Sequence, residues 1–272
     1  FHVWNEFKGF WDAPGHNWDY VRYTELYNQV YDALKSVDSS IKVGGPYLVV
    51  EGTGLNAREW YGASPITERN MKVIDYWLAH KHGAEFIALD RSLTDTNHDS
   101  GRHTEREMLA QTRLYADIVR QIRAKTDLPI WWAEFYGGER LRNPDFVAAE
   151  YASIYLHMAT AGAPQVALLW GFLQGEGGGY QLFTDLMQPD GGQPTAHYGV
   201  VKAFRDMFPP GTRLYRATSS SPEIEVLASR TQTLLINKRS SPARIMLDGA
   251  PLTLGRYEVR LLEASRRAQA RP

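Results

Sequence analysis

The sequence predicts an α/β fold of parallel strands and helical crossovers, followed by a small antiparallel β-rich domain. Three observations predict it. Up to about residue 208, a short β-prone run is followed by a helical stretch five times over, as expected for parallel strands joined by helices. After Pro209-Pro210-Gly211 the character changes to short β-prone runs separated by Ser-, Gly- and Pro-containing turns, the pattern of a small antiparallel sandwich. Hydrophobic residues make up 43% of the 272 residues, enough to bury a core and to argue against wholesale disorder.

Residues 1–6 are apolar and β-prone and run into Asn5-Glu6. A loop rich in Trp, Gly and Pro leads to a helix over about 18–37, where Leu26, Val30, Ala33, Leu34 and Val37 recur at helical spacing. Ile41 to Val43 reads as a strand ended by Gly44-Gly45-Pro46, and residues 47–66 as a long functional loop. A helix over 67–82 presents Val73, Ile74, Trp77 and Leu78 on one side, and Glu85 to Leu89 is the next strand. Thr104-Glu105-Arg106-Glu107 is a capping box opening a helix to about 125. Pro129 to Ala133 is a strand, Asn143-Pro144 starts a helix ending near Gly162, Val166 to Trp170 is a strand, and 195–208 a helix. Beyond 213, Glu223–Leu227, Thr233–Asn237, Ala243–Leu247 and Tyr257–Leu262 are the β-prone runs.

A net charge of -1 gives no reason to expect a nucleic-acid or anionic-membrane partner. There is no Cys, so disulfides and thiolate metal sites are excluded, but the compartment stays open. No apolar run of about 18 residues predicts a membrane span. Eight Trp and fifteen Tyr suit stacking of flat, partly apolar ligands, although buried aromatics account for them equally well. The chain opens with Phe1-His2-Val3-Trp4, which reads as the middle of a strand, so residues upstream are expected.

Two carboxylates stand out, both at the carboxyl ends of predicted parallel strands, where such sheets place their chemistry. Glu6 ends Trp4-Asn5-Glu6, and Glu134 ends Trp131-Trp132-Ala133-Glu134. Glycoside cleavage needs such a pair: an acid to protonate the leaving oxygen, and a carboxylate to attack the anomeric carbon or activate water. One Glu at a strand end is as readily a surface or capping residue. Two with aromatic neighbours, in a chain of βα repeats, favour the catalytic reading.

These motifs also resemble a known group. Trp4-Asn5-Glu6 resembles the acid/base motif of the large glycosidase clan whose (β/α)8 barrels carry catalytic Glu residues on strands four and seven. More narrowly, the chain resembles the family-39 group of β-xylosidases and related glycanases. Ile41-Lys42-Val43-Gly44-Gly45-Pro46 is similar to its fifth strand, Trp132-Ala133-Glu134-Phe135 to its nucleophile strand, and Leu169-Trp170-Gly171-Phe172 to its eighth. Pro194-Thr195-Ala196-His197-Tyr198 with Ala203-Phe204 resembles its last barrel helix, and the β-rich end its appended sandwich.

The resemblance implies a partial (β/α)8 TIM barrel of about five units, strands four to eight, over residues 1–210. A small sandwich over 211–264 and a tail over 265–272 would follow. It implies a retaining β-glycosidase with Glu6 as acid/base and Glu134 as nucleophile. Asn5 would bind the sugar 2-hydroxyl, Trp170 would floor the sugar subsite, and Trp132 and Tyr136 would be further substrate contacts. No cofactor or metal is required, and the partner is an oligosaccharide, polysaccharide or aryl glycoside. The alternative is a catalytically impaired carbohydrate-binding relic.

Two departures from the family pattern matter. Relatives end strand six with a His and an aromatic, whereas Phe86-Ile87-Ala88-Leu89 runs here into Asp90-Arg91-Ser92. If Glu6 ends strand four, strands one to three are not in this chain and two sheet edges would be open; residues upstream, another chain, or the loops and the sandwich would then cover them, and a homo-oligomer is a natural expectation. The remaining candidates are weaker. Asp90, Asp95, His98, Asp99 and His103 share a polar stretch without a defensible metal spacing. Gly175-Glu176-Gly177-Gly178-Gly179 lacks the Lys and Ser/Thr of a phosphate loop. Glu139 is a decoy nucleophile beyond Gly137-Gly138, and Trp11, Trp18, Trp60 and Tyr180 serve packing or stacking equally.

Overall fold

Four parallel strands in chain order form the main sheet: β3 (Gly44–Val49), β4 (Phe86–Ser92), β5 (Ile130–Tyr136) and β6 (Val166–Leu169). The structure, a computed structural model, describes residues 1–50, 66–93, 104–138, 143–162, 164–171 and 181–263. They fall into two compact units, one drawn from Phe1–Asp95, Leu114–Tyr136 and Ala161–Trp170, the other from Thr96–Arg113, Gly137–Thr160 and Gly171–Pro272.

In the first unit, every residue of β4 is buried, as expected for a strand flanked by parallel neighbours and covered on both faces. Helix α1 (Tyr20–Val37) starts at Asp19, whose carboxylate accepts from the Arg22 N–H at 3.1 Å. Its buried tyrosines hold neighbouring chain: Tyr23 donates to the Val3 carbonyl at 2.9 Å and Tyr27 to that of Gly83 at 2.8 Å. Helix α2 (Glu68–His80) is capped by Thr67 and buries Val73, Ile74 and Trp77. A short hairpin, β1 (Trp11–Asp12) with β2 (Asn17–Trp18), precedes α1.

Two expectations about strands need correction. Residues 1–6 do not form a strand. They make one parallel bridge, His2 to Gly44, and then turn away, because Trp4, Glu6 and Phe7 take left-handed φ values of 72°, 51° and 58°. The sheet therefore has four strands with a bridge at its edge, not five strands. The strand expected at Ile41–Val43 runs instead through the Gly-Gly-Pro. Its glycines are there for space: a Cβ on Gly44 would lie 2.4 Å from the Phe86 ring, and one on Gly45 2.8 Å from the Tyr23 hydroxyl.

The helix expected over 104–125 is two, α3 (Glu105–Gln111) and α4 (Leu114–Arg123). The Thr104–Glu107 capping box is present. At the break, the Thr112 hydroxyl donates to the Leu109 carbonyl at 2.8 Å, a local bond that competes with the helical ladder.

The second unit contains α3, α5 (Pro144–Thr160), α6 (Ala196–Met207) and the β-rich end. Four antiparallel strands lie in the order β12 (Val259–Glu263), β9 (Gln232–Asn237), β8 (Ile224–Ser229), β7 (Leu214–Tyr215). A hairpin, β10 (Ala243–Leu247) with β11 (Ala250–Leu254), stands beside them in sequence. Its turn is Asp248-Gly249, both at positive φ (50° and 86°), as a tight hairpin turn requires. Ile224, Leu235, Ala243 and Leu254 form one buried cluster drawn from the sheet and the hairpin. Among the described residues no helix is long and apolar enough to cross a membrane.

One buried polar knot ties this unit together. Glu225 on β8 accepts from Lys238 at 2.5 Å and Ser153 at 2.6 Å, and meets His157 Nε2 at 3.0 Å. Lys238 also donates to the Leu109 carbonyl at 3.1 Å. Burial works to raise the Glu225 carboxyl, but the His157 hydrogen bond and the Lys238 charge outweigh it and hold it at about 2. An unfolded Glu titrates near 4.3, so this stabilisation is complete above that pH and is lost as pH falls towards about 2. Urea midpoints should therefore drop across that window. Glu225→Gln should flatten the drop and cost about 3–5 kcal/mol near neutrality, by leaving Lys238 buried without its counter-charge.

Candidate active site

Glu6 owes its position to a strained turn. After Val3, the chain reverses through Asn5, whose carbonyl accepts from the Lys8 N–H at 3.0 Å, and through Phe7, whose carbonyl accepts from the Phe10 N–H at 3.0 Å. Three left-handed residues without glycine are costly. What holds them is Phe7, fully buried with its ring centroid 4.2 Å from Tyr23, 5.6 Å from Phe10 and 5.7 Å from Trp18. The half-buried Glu6 carboxylate pairs with Lys8, itself largely exposed.

Glu134 arrives from β5, which continues two residues past it, so Glu134 is within the strand, not at its end. It pairs in register with Asp90 of β4, a buried residue. Oxygens of Glu6, Asp90 and Glu134 all lie within 4.8 Å of one another. Tyr47 of β3, itself at a left-handed φ of 45°, donates its hydroxyl to Glu134 Oε2 at 2.8 Å. Its ring packs against His2 at 4.3 Å and among Phe86 and Ala88.

The electrostatics follow from this crowding. Burial, and after it the Glu6 charge, raises the Glu134 carboxyl, while the Tyr47 hydroxyl and the Lys8 charge act against the rise. Burial and the bond to Glu134 push the Tyr47 phenol up, so it stays a donor. Three acidic oxygens this close also suit a hard cation, but an acidic cluster alone does not distinguish a metal site from a proton-transfer site.

The predicted substrate contacts divide. Asn5 is exposed beside Glu6. Trp170 is 57% exposed, its N–H donates to the Phe135 carbonyl at 3.3 Å, and its ring lies 6.2 Å from that of half-buried Tyr136. Trp132 is a correction: it is fully buried, edge-on to Tyr115 at 5.1 Å, and belongs to the core. Sequence reasoning missed Tyr47 and Lys8, and considered Asp90 only for a metal. The strand-end rule that selected Glu6 and Glu134 also selects Asp90. Tyr47 escapes because Gly44-Gly45-Pro46 reads as the end of a strand, whereas the strand runs through it. Trp60, Asp95, His98, Asp99, His103, Glu139, Tyr180 and the Gly175–Gly179 run lie outside the described residues.

No protein-family model matches the chain, and no curated protein matches it. Solved structures do. The chain is similar to a family 39 glycoside hydrolase from Bacteroides cellulosilyticus WH2, with a TM-score of 0.63 and 13% identity over 97% of this chain and 57% of that one. It is similar to AbfB, a family 51 α-L-arabinofuranosidase from Bifidobacterium longum, with a TM-score of 0.54 and 11% identity over 89% of this chain and 54% of that one. It is also similar to BuGH86 in complex with neoagarooctaose, with a TM-score of 0.55 and 10% identity over 97% of this chain and 48% of that one. The likeness is one of fold, and the chain spans about half the length of each of these structures.

Removing the Tyr47 hydroxyl takes a donor from the Glu134 carboxylate. In Tyr47→Phe, the Glu134 carboxyl should therefore titrate at higher pH than in the parent, read by carbon NMR of labelled Glu side chains. An unchanged midpoint would show that the bond does not form in solution.

Proposed function

We propose that this chain carries the centre of a retaining glycoside hydrolase acting on β-linked sugars, with Glu134 as nucleophile and Glu6 as acid/base. The observation that carries the reading is the approach of the Glu6 and Glu134 oxygens to within 4.8 Å. Retaining glycosidases hold their carboxyl groups roughly 5–5.5 Å apart, and inverting ones about 6.5–9.5 Å, to leave room for water. The fold-level likeness to glycoside hydrolases agrees with it, and the oligosaccharide held by one of those structures suggests the substrate class. Fold alone would not suffice.

The roles follow from what each carboxylate touches. The Tyr47 hydroxyl orients Glu134 and, against the upward push of burial and of the Glu6 charge, favours its anion, the form needed for attack. A Glu134 oxygen bonds to the anomeric carbon as the bond to the leaving oxygen breaks, and that oxygen takes its proton from Glu6. Lys8 must move off the Glu6 carboxylate to admit the leaving oxygen. The lysine side chain is 71% exposed, so the pair is weak and screened. Glu6 then takes a proton from water as the water oxygen displaces Glu134. Asn5 beside Glu6 would meet the sugar 2-hydroxyl, and exposed Trp170 with Tyr136 would floor the sugar. No step calls for a cofactor. The finer reading is a β-xylosidase- or β-glucosidase-like specificity.

One observation favours a second reading, a carbohydrate-binding protein without turnover. The Lys8 ammonium occupies the Glu6 carboxylate, where it competes with a leaving group, and misplacement of reacting groups by about 1 Å costs on the order of a hundredfold in rate.

Hydrolysis of a panel of aryl β-glycosides separates the two. The glycosidase reading expects turnover that falls at least a hundredfold in Glu6→Gln and in Glu134→Gln. Azide should restore turnover in Glu134→Ala with an inverted glycosyl azide, and in Glu6→Ala with a retained one. A folded parent chain that binds oligosaccharide without hydrolysing any of the panel would favour the second reading.

A further inference from the structure

Among the exposed aromatic rings of the first unit, Trp4 is the one carried by the same turn as Glu6. Its indole is 50% exposed. The indole N–H donates to the Lys8 carbonyl at 2.5 Å, and the ring stands edge-on to Phe10 at 5.7 Å. Phe10 in turn packs on buried Phe7. Trp4 is thus held by one polar and one aromatic contact, yet half of its surface faces water. Its backbone is strained, at a φ of 72°. The strained turn that places Glu6 thereby also holds a large apolar ring in solvent two residues before it, which points to use of that ring. Trp11, also exposed, differs: its edge meets Trp18 at 5.1 Å and the Arg69 guanidinium sits 5.0 Å over its ring.

We infer that Trp4 is a specificity-determining residue that stacks on the sugar of the leaving side. The inference rests on the glycosidase reading above. The acid/base gives its proton to the leaving oxygen, so whatever that oxygen carries lies against the segment bearing Glu6. Lys8 links the two side chains, accepting from the Trp4 indole with its carbonyl and pairing with Glu6 through its ammonium. An indole offers a flat apolar face and a polar edge, matched to the C–H face and hydroxyl rim of a pyranose. Trp170, just past the end of β6, is left to the sugar that Glu134 attacks. The substrate class is then a β-linked oligo- or polysaccharide with at least one sugar beyond the cleaved bond. Binding energy from that remote sugar aids the reaction at the anomeric carbon.

The test compares substrates with and without a leaving sugar. β-Xylosyl and β-glucosyl fluoride have none; xylotriose and cellotriose do. For the full chain, Trp4→Ala should lower the ratio of kcat/KM on trisaccharide to kcat/KM on fluoride at least tenfold, and Trp4→Phe should keep it within threefold of the parent. A ratio within twofold of the parent in Trp4→Ala overturns the inference while leaving the glycosidase reading intact. For a parent that turns over neither substrate, the subsite is judged by binding. The Trp4 indole N–H resonance should move on titration with either trisaccharide and stay in place with xylose or glucose. No movement with either trisaccharide overturns the subsite whatever the activity.

Discussion

The burial of Phe7 is the contact on which the site depends. Glu6, on the turn between Val3 and Phe10, has to reach a carboxylate on β5. The chain gets there by leaving the sheet after a single bridge and turning through three left-handed residues. Such a turn would not persist alone. With Phe7 sealed among Phe10, Trp18 and Tyr23, and Tyr23 donating back to Val3, the cost of the strained backbone is offset by the apolar surface it buries. The aromatic wealth of the first twenty-seven residues thus serves position, because it converts hydrophobic burial into the placement of one acid.

Once Glu6 is there, electrostatics set the terms. Three acidic side chains share a small volume with one ammonium and one phenol. Like charges this close cannot all remain ionised in a partly buried setting without compensation. Lys8 and Tyr47 supply it in different ways. Tyr47 is buried and fixed, whereas Lys8 is solvated and free to leave. A permanent donor on one carboxylate and a removable charge on the other make two chemically similar glutamates unequal, as a division into nucleophile and acid/base requires.

Much of this is legible from the residues. Asp19, Thr104 and Thr195 cap helices where short polar side chains precede amphipathic runs. Apolar spacing together with caps and breakers gives most of the order of strands and helices. What escapes is local and non-periodic. Phe1 to Glu6 looks extended because its residues are β-prone, and only the packing of Phe7 reveals the turn. Gly44-Gly45-Pro46 looks like a strand stop, and only the proximity of Phe86 and Tyr23 shows why a strand there needs glycine. Tyr47 escapes with that strand. Asp248-Gly249 is a readable hairpin signal, and β11 follows from it once the dipeptide is weighed. Trp132 looks like a site residue because regular alternation would set it on the face of Glu134, two residues on, yet the register of β5 shifts between Trp132 and Phe135 and Trp132 is fully buried.

The polar knot around Glu225 bears on how the second unit comes apart. Lys238 and the Leu109 carbonyl that it meets are 129 residues apart in sequence, and Glu225 reaches back 72 residues to Ser153. Contacts between such distant segments must first offset the entropy of closing long loops. Interactions made after the folding barrier leave the rate of folding nearly untouched and act on the rate of escape. A knot that closes after that barrier is a latch in the kinetic sense, setting how long the unit stays closed once it has closed.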